Sequence, residues 1–266
     1  MTIRHSPFSE ALSMYYDEEY EAEGLRTISD QLYLDQIKKS GKSNARVLEL
    51  CCGTGRLAVQ SAKAGAHVTA VDISTSMLNH FKQRLATEAD SSLKDKIELV
   101  EADINFLDLP DANYDFVFCG FNSFNLLGSK RLQLAALVIA EKYLAPGGVL
   151  AFDMRNPFKS YIGSMMPSTP VEKITKRGTF LQRVDRQSPL DDKHCQTVSG
   201  WYDETDHSGT LKRTPFSFEW CLTDKFEVKF MLREAGFDAV VVLGSSATDY
   251  SYFVTAKKPS KMSSSL

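Results

Sequence analysis

A glycine-rich turn followed by two acidic residues is the part of this sequence best suited to bind a ligand. The turn, Glu49-Leu-Cys-Cys-Gly-Thr-Gly-Arg56, stands between a predicted strand and a predicted helix, where glycines let the backbone approach a ligand and free helix N–H groups face it. Asp72 follows Gly53 by 19 residues, close to the interval of about 20 at which an acidic side chain accepts ribose hydroxyls. Asp103 follows the third predicted strand and could accept an adenine amino group, with Ile104 against the ring. These positions predict a crevice for a nucleoside-bearing ligand.

Alternating strands and helices bring these residues to one edge of a sheet. Short apolar runs bounded by turn residues predict strands, and helical spacing predicts the helices between them. The predicted strands are 46–52, 67–71, 96–101, 114–119 and 149–154, and the predicted helices are 56–64, 74–86 and 130–144. Strands separated by helices of this length form right-handed βαβ units, so we expect a mostly parallel sheet. Helical spacing over 9–20 and 25–37 predicts two earlier helices, which form a lid or an outer layer.

The pattern changes in the second half of the chain. β-Branched and aromatic runs over 171–220, broken by turn clusters, predict a small antiparallel sheet. A helix over 224–235 and a strand pair, 237–243 and 250–256, complete the predicted elements. The last residues, 259–266, have little to bury and are expected to form a frayed tail.

The composition is that of an ordinary soluble domain. Of 266 residues, 43% are hydrophobic and 24% are charged, which is enough to bury a full core. Lys and Arg number 31 and Asp and Glu 34, giving a net charge of −3 without a dense basic stripe. This balance argues against a nucleic-acid partner and favours a small molecule. We expect a monomer or a homodimer.

The cysteine spacing and the short apolar runs indicate where in the cell the protein is located. The five cysteines are an odd number and none are spaced as Cys-x-x-Cys, which predicts reduced thiols; they are Cys51, Cys52, Cys119, Cys195 and Cys221. No apolar run has the length of a signal peptide or of a membrane span of about 20 residues. We therefore expect a cytoplasmic protein with no membrane partner.

Four sequence blocks, in this order, resemble the class I S-adenosylmethionine-dependent methyltransferases. They are Val47-Leu-Glu-Leu-Cys-Cys-Gly-Thr-Gly55, Val71-Asp-Ile-Ser74, Glu101-Ala-Asp103 and Leu144-Ala-Pro-Gly-Gly148. The resemblance covers 45–155 tightly and 222–258 loosely. It implies an α/β fold: a Rossmann-like seven-stranded, mostly parallel sheet with an antiparallel final strand, N-terminal lid helices, and a small antiparallel β insert before the last helix. S-adenosyl-L-methionine is the implied methyl donor, and S-adenosyl-L-homocysteine the product.

The resemblance also implies a domain organisation and a set of site residues. The domains are a lid at 1–40, the cofactor-binding domain at 41–158 and 222–258, a substrate cap at 159–221 and a tail at 259–266. Glu49 is expected near the methionine amino group, Gly53 and Gly55 under the cofactor, and Asp72 on the ribose. Cys51 replaces the usual Gly or Ala, and we interpret it as packing. The predicted cofactor-binding residues are Tyr16, Glu49, Cys51, Gly53, Thr54, Gly55, Asp72, Ile73, Met77, Asp103, Ile104, Cys119 and Phe121.

A second resemblance, to glycine and amino-sugar N-methyltransferases, concerns the acceptor. It rests on Tyr15-Tyr-Asp-Glu-Glu-Tyr20, on Phe121-Asn-Ser-Phe-Asn-Leu-Leu127, and on the β insert before Leu222. Such relatives often have His at the position of Leu126, so a mechanism assisted by that His is not expected here. A hydroxyl acceptor usually needs a base or a metal, whereas a neutral amine does not. The sequence has no legible metal cluster or Ser-His-Asp arrangement, which favours N-methylation; O-methylation is the alternative, and C- and S-methylation stay open.

Three residues are predicted to be catalytic, and no metal is predicted. Tyr16 could close over the methyl donor or pack on the apolar face of its helix. Asn122 could face the methyl group or cap its loop, and Arg155 could bind a substrate carboxylate or form a surface ion pair. The insert offers a far wall for the substrate pocket, although each of its candidates could be structural instead. These candidates are His194, Trp201, Tyr202, His207, Glu219 and Trp220.

Three other classes of protein share some of these sequence features. A dinucleotide-dependent oxidoreductase would need a G-x-G-x-x-G turn, and this chain has Cys51-x-Gly53-x-Gly55-Arg56. A nucleic-acid methyltransferase is suggested by Asn156-Pro-Phe158 and opposed by the charge balance. A non-catalytic cofactor-binding interaction module would keep the same turn and Asp72.

Overall fold

A computed structural model describes residues 10–20, 26–110, 113–157, 171–244 and 251–260. The helices are α1 Glu10–Tyr20, α2 Arg26–Ser40, α3 Arg56–Lys63, α4 Thr75–Thr87, α5 Leu93–Lys96, α6 Lys130–Tyr143 and α7 Lys225–Glu234. The strands are β1 Arg46–Leu50, β2 His67–Asp72, β3 Ile97–Glu101, β4 Tyr114–Cys119, β5 Leu144–Arg155, β6 Val171–Ile174, β7 Phe180–Gln187, β8 Cys195–Thr205, β9 Leu211–Cys221, β10 Asp238–Leu243 and β11 Ser251–Lys257. Short 3-10 helices cover Ile104–Phe106 and Ser123–Leu127.

Seven strands form the main sheet, in the order β10-β11-β5-β4-β1-β2-β3. β11 runs antiparallel to both of its neighbours, and the other paired strands are parallel. The expected α/β fold, with its antiparallel final strand, is confirmed. The strand order changes direction between β1 and β4, so the loops that follow these two strands diverge and leave a crevice at their carboxyl ends.

Apolar residues cover both faces of the main sheet. Leu48 and Leu50 of β1 face the layer of α6 and α7, whereas Val47 faces the layer that contains α2, α3 and α4. This double burial explains why the central strands are nearly continuous hydrophobic runs. Tyr33 and Ile37 of α2 are buried against the same face as Val47. Helix α2 is therefore part of an outer layer that covers the main sheet.

A second, antiparallel sheet precedes α7, as the sequence predicts. Its strand order is β6-β7-β8-β9. Helix α1 packs on this sheet, where the rings of Tyr15 and Tyr202 lie 4.7 Å apart in a cluster with Leu12 and Phe216. The two early helices therefore belong to different layers, α1 to the insert and α2 to the main sheet.

The prediction that all cysteines are reduced is wrong for one pair. Cys195 of β8 and Cys221 of β9 stand directly opposite each other and form a disulfide. Pairing of antiparallel strands brings such residues into bonding range, and their separation of 26 residues along the chain does not reveal it. Cys51, Cys52 and Cys119 are free thiols. Disulfides are typical of oxidising compartments, so the cytoplasmic location stays a prediction.

Within the described ranges, none of the helices is both long and apolar enough to cross a bilayer.

Gly55 provides a test of the turn after β1. Its φ is 79°, and a Cβ atom added there would lie 2.1 Å from the Phe81 ring. We expect Gly55→Ala to lower the free energy of unfolding by about 3 kcal/mol, from backbone strain and overpacking together. Gly41 is the matched control, because its φ is 64° and nothing lies within 4 Å of an added Cβ; Gly41→Ala should cost about 1 kcal/mol. Equal losses in urea unfolding would contradict the packing role of Gly55.

Candidate functional site

A cavity of about 430 Å³ lies at the carboxyl ends of β1 to β4, between the main sheet and the insert. A narrow recess adjoins it under the turn after β1, and the two share Tyr16, Cys51, Phe121 and Ser123 as lining residues. The crevice predicted from the strand order is therefore present. Its position at the ends of parallel strands is typical of ligand sites in α/β sheets.

Most of the predicted cofactor-binding residues lie together here. Those that line the cavity are Tyr16, Cys51, Gly53, Asp72, Ile73, Met77, Asp103, Ile104 and Phe121. Glu49 and Thr54 line the recess. They come from α1, from the turns after β1 to β4 and from the start of α4. These elements converge only in the folded sheet.

Asp72 ends β2 and stabilises the turn after β1. Its two carboxylate oxygens accept hydrogen bonds from the backbone N–H groups of Gly53 and Ser74, each at 2.8 Å. Burial raises the pKa of Asp72, and these backbone hydrogen bonds oppose the rise. Each oxygen keeps further acceptor capacity, and the residue borders the cavity.

Asp103 plays a similar local role after β3. Its Oδ1 accepts the N–H of Asn105 at 2.9 Å and so caps the 3-10 helix Ile104–Phe106. The cap fixes the loop that brings Ile104, which is buried, to the cavity. Asn105 also lines the cavity and was not among the predicted residues.

Glu49 is a buried carboxylate with an unsatisfied oxygen. Its side chain is 3% exposed, and Oε2 has no hydrogen-bond partner among the described residues. Burial, followed by the charge of Asp72, raises the pKa of Glu49 well above its ordinary value. Buried polar groups are normally paired, and an exception of this kind at a cavity marks a place for a ligand group. A cation with N–H donors would satisfy it.

Three residues other than glycine have left-handed backbones at the rim of the cavity. Cys51 has a φ of 56°, and Phe121 and Asn122 have φ values of 58° and 57°. Such conformations are costly and tend to concentrate at functional sites. The φ of Cys51 also explains why glycine would suit this position. Its thiol hydrogen-bonds with that of Cys119, and this contact, followed by burial, raises the pKa of Cys51 well above its ordinary value.

Four predicted site residues do not line the cavity or the recess. Asn122 accepts a hydrogen bond from the Ser251 hydroxyl at 3.1 Å, and the Arg155 guanidinium lies 3.7 Å from the centre of the Trp220 ring. Gly55 packs against Phe81, and Cys119 is buried at the end of β4. The role of Asn122 at the methyl group stays a prediction, since its side chain is bonded to β11 in this structure.

The insert contributes Thr197, Ser217, Phe218 and Glu219 to the far wall of the cavity. Thr197 and Glu219 are paired directly across β8 and β9. Among the described residues, the Glu219 side chain has no hydrogen bond or ion pair. Of the insert candidates from the sequence, only Glu219 lines the cavity.

The other insert candidates have different surroundings. Tyr202 is buried under α1, and Trp201 packs against the Arg213 guanidinium. His194 and His207 are exposed. None of these four can contact a ligand in the cavity as the insert is packed.

Several lining residues were not among those predicted from the sequence. They are Ala102, Asn105, Ser123, Leu127, Gly128, Thr197, Ser217 and Phe218. Ser123, Leu127 and Gly128 lie in or beside the resemblance block at 121–127. Thr197 and Ser217 could have been found by two-residue periodicity only if the register of β8 and β9 had been known.

Two further expectations concern metals and nucleic acids. Across the described ranges, no group of three or more His, Cys, Asp or Glu side chains is arranged to hold a metal ion.

Asn156, which suggested a nucleic-acid methyltransferase, is fully buried, and its Oδ1 accepts the hydroxyl of Tyr252 at 2.8 Å. Phe158 of the same motif lies outside the described residues. The Asn156 amide is therefore not available to an extruded base.

Comparison with known proteins supports the methyltransferase class. Residues 47–148 match the family model described as a methyltransferase domain. The putative methyltransferase YqeM of Bacillus subtilis is 28% identical over 206 residues, which cover 76% of each chain. A demethylmenaquinone methyltransferase of Clavibacter sepedonicus is 36% identical over 181 residues, covering 65% of each chain.

Solved structures share the fold at lower identity. The CcbJ methyltransferase from Streptomyces caelestis has a TM-score of 0.75 and 19% identity, covering 96% of this chain and 100% of that one. The sugar N-methyltransferase KedS8 from Streptoalloteichus has a TM-score of 0.73 and 17% identity, covering 97% and 99%. The fold is thus that of the Rossmann-like methyltransferases of known structure. The chain carries the family's methyltransferase domain and is an S-adenosylmethionine-dependent methyltransferase.

Glu49 yields a prediction of stability against pH. Because its folded-state pKa is raised, stability is greatest below the unfolded-state pKa and declines as pH rises through the folded-state value. Glu49→Gln should remove this decline and raise the free energy of unfolding at neutral pH by about 1 kcal/mol. The measurement is urea unfolding without cofactor at pH 5 and pH 8. The exposed Glu234 supplies the control variant Glu234→Gln, and an identical pH profile for both variants would contradict the prediction.

Proposed function

We propose that this enzyme transfers the methyl group of S-adenosylmethionine to a nitrogen atom of a small-molecule amine. The observation that carries the proposal is the continuity of the cavity, from Asp72 and Asp103 to the polar wall of Thr197, Ser217 and Glu219. Its volume of about 430 Å³ lies within the range of small-molecule sites. The polar wall lies beyond the cofactor residues, where an acceptor would enter.

The cofactor fits the residues that are present. The unsatisfied Glu49 oxygen suits the methionine ammonium group, the remaining acceptor capacity of Asp72 suits the ribose hydroxyls, and Ile104 offers an apolar surface to adenine. When bound, S-adenosylmethionine supplies an electrophilic methyl group on a sulfonium centre. The carboxylates and the apolar residues at the cavity wall bind and orient it.

The protein contributes alignment and shielding to the transfer. Alignment of two reactants can lower a barrier by about 7–11 kcal/mol. Tyr16 and Phe121 meet edge to face with ring centres 6.0 Å apart and border both the cavity and the recess. In this position the two rings exclude water from the side of the cavity next to α1.

The titratable residues support an amine acceptor over a hydroxyl. Among the described lining residues there is no histidine, and the Cys51 thiol has a raised pKa. The carboxylates of Asp72 and Asp103 already accept backbone hydrogen bonds. Glu219 is the carboxylate that remains at the acceptor wall, where it can accept a hydrogen bond from an amine N–H. A hydroxyl acceptor would need a positioned base, whereas the lone pair of a neutral amine attacks without one. The solved structures that share this fold include sugar and glycopeptide N-methyltransferases.

Methylation of a ring carbon is the second candidate. It is supported by the relatives named demethylmenaquinone methyltransferase, of which one is 36% identical to this chain. The polar far wall of the cavity favours the amine, because an apolar ring or tail placed against Thr197 and Glu219 would leave them without hydrogen-bond partners.

An acceptor screen tests the function directly. The protein is incubated with methyl-labelled S-adenosylmethionine and separate pools of amino sugars and other small amines, hydroxylated aromatics, and quinols. S-adenosylhomocysteine and the mass gain of each acceptor are measured, and fragmentation locates the new methyl group. An N-methylated product supports the proposal, whereas methylation on oxygen or carbon replaces it. Cofactor binding with no turnover in any pool would favour a binding-only module.

Glu219 offers a test of the acceptor wall. We expect Glu219→Gln to raise KM for the amine about tenfold, because a hydrogen bond to a charged group is lost. The Kd for S-adenosylmethionine should not change, since Glu219 lies on the far wall. Asp192→Asn, at an exposed turn of the same insert and outside the cavity, is the control. An unchanged KM for Glu219→Gln would remove this side chain from the acceptor site.

Asp72 offers a test of the proposed cofactor-binding part of the cavity. Asp72→Ala removes a charged acceptor and also leaves the Gly53 and Ser74 N–H groups without their partner. S-adenosylhomocysteine binding should weaken by about 2 kcal/mol, roughly thirtyfold, as measured by calorimetry. Unchanged affinity would exclude Asp72 from the cofactor site.

A further inference from the structure

The turn after β4 has a backbone conformation that its own sequence disfavours. Phe121 and Asn122 are consecutive, neither is glycine, and both have left-handed φ values of 58° and 57°. Isolated residues of this kind are uncommon, and surrounding interactions must maintain them. The interactions that maintain this turn therefore also set the position of Phe121 at the cavity.

A buried carboxylate on the next strand provides these interactions. Asp153 of β5 is 5% exposed, and its Oδ2 accepts the N–H of Asn122 at 3.1 Å. The N–H of Phe121 also bonds to this carboxylate. Successive N–H groups that point the same way form a small anion-binding concavity, so the charge of Asp153 stabilises the left-handed turn.

Tyr33 holds the carboxylate in place from helix α2. Its hydroxyl donates to Asp153 Oδ1 at 2.5 Å and lies 3.1 Å from the Cys119 carbonyl oxygen at the end of β4. The Tyr33 ring is fixed edge to face against Phe118 and Phe253. Neither Tyr33 nor Asp153 lines the cavity or the recess.

The turn after β1 is built in the same way. There Asp72, from the neighbouring strand β2, accepts the N–H of Gly53, whose φ is 56°. Two turns at the strand-order change thus each rest on a carboxylate from an adjacent strand. The difference is that Asp72 borders the cavity, whereas Asp153 lies behind its wall.

We propose that Asp153, held by Tyr33, is a positioning residue that sets the conformation of the Phe121–Asn122 turn and through it the cofactor-binding wall. Phe121 packs edge to face on Tyr16, and Ser123, the residue after the turn, lines both the cavity and the recess. A relaxed turn would withdraw Phe121 from Tyr16 and open the wall between α1 and β4. Burial raises the pKa of Asp153, which is consistent with a carboxylate that serves backbone N–H groups in the interior.

The experiment compares two buried tyrosine hydroxyls. Tyr33→Phe removes the donor to Asp153, and Tyr114→Phe removes a buried hydroxyl that donates to Thr69 at the other end of β4 from the turn. Both variants should lose similar stability in urea unfolding. Only Tyr33→Phe should weaken S-adenosylhomocysteine binding, by about fivefold in calorimetry, because one charged hydrogen bond to the positioning carboxylate is lost.

Asp153→Asn and a glycine rescue test the turn itself. Asp153→Asn should weaken S-adenosylhomocysteine binding about tenfold, since the charge that holds two N–H groups is lost, and should shift the amide resonances of Phe121 and Asn122. Asn122→Gly in that background should restore part of the affinity, because glycine adopts the left-handed conformation without cost. A residue that only supports the core would not be rescued at Asn122.

The outcomes separate this proposal from the choice of acceptor. Binding of S-adenosylhomocysteine does not depend on which atom is methylated, so failure of the amine screen leaves the test intact. Unchanged affinity in both Tyr33→Phe and folded Asp153→Asn overturns the proposal. So does equal loss of affinity in Tyr33→Phe and Tyr114→Phe, or a double variant with Asn122→Gly that binds no better than Asp153→Asn alone.

Discussion

The site depends on two sharp turns that leave the sheet where its strand order changes direction. After β1 the chain passes through Cys51, Gly53 and Gly55, and after β4 through Phe121 and Asn122, all with left-handed backbones. Each turn is stabilised by a buried carboxylate from the adjacent strand, Asp72 for the first and Asp153 for the second. Residues of both turns line the side of the cavity next to the main sheet, and the insert closes its far side.

This arrangement places three carboxyl groups in the interior of the protein. Burial raises the pKa of Glu49, Asp72 and Asp153, which means that each carboxylate destabilises the folded state at neutral pH relative to an exposed one. Asp72 and Asp153 gain backbone N–H partners in return, whereas Glu49 keeps an unsatisfied oxygen. A cationic ligand complements that oxygen, and the stability lost in the free protein becomes binding energy.

Helix α1 connects the two parts of the site. Its outer contacts tie it to the insert, where Glu19 pairs with Arg183 and accepts the Tyr202 hydroxyl, and Tyr15 donates to Glu204. Asp17 ties the same helix to the main domain through Thr54 and Arg84. Tyr16 lies between these two sets of contacts and is therefore held over the cavity next to Phe121.

The sequence by itself determined the order of strands and helices, the glycine turn, and the acidic positions 72 and 103, because these depend on short-range periodicity and on spacing within one βαβ unit. It could not determine the direction of Asn122 or Arg155, since a side chain at a strand end is oriented by backbone conformation and by neighbours distant in the chain. The Cys195–Cys221 disulfide and the pairing of Thr197 with Glu219 were equally hidden. Both follow from the register of β8 and β9, which only the packing of the insert decides, because a shift of one residue turns every side chain to the opposite face.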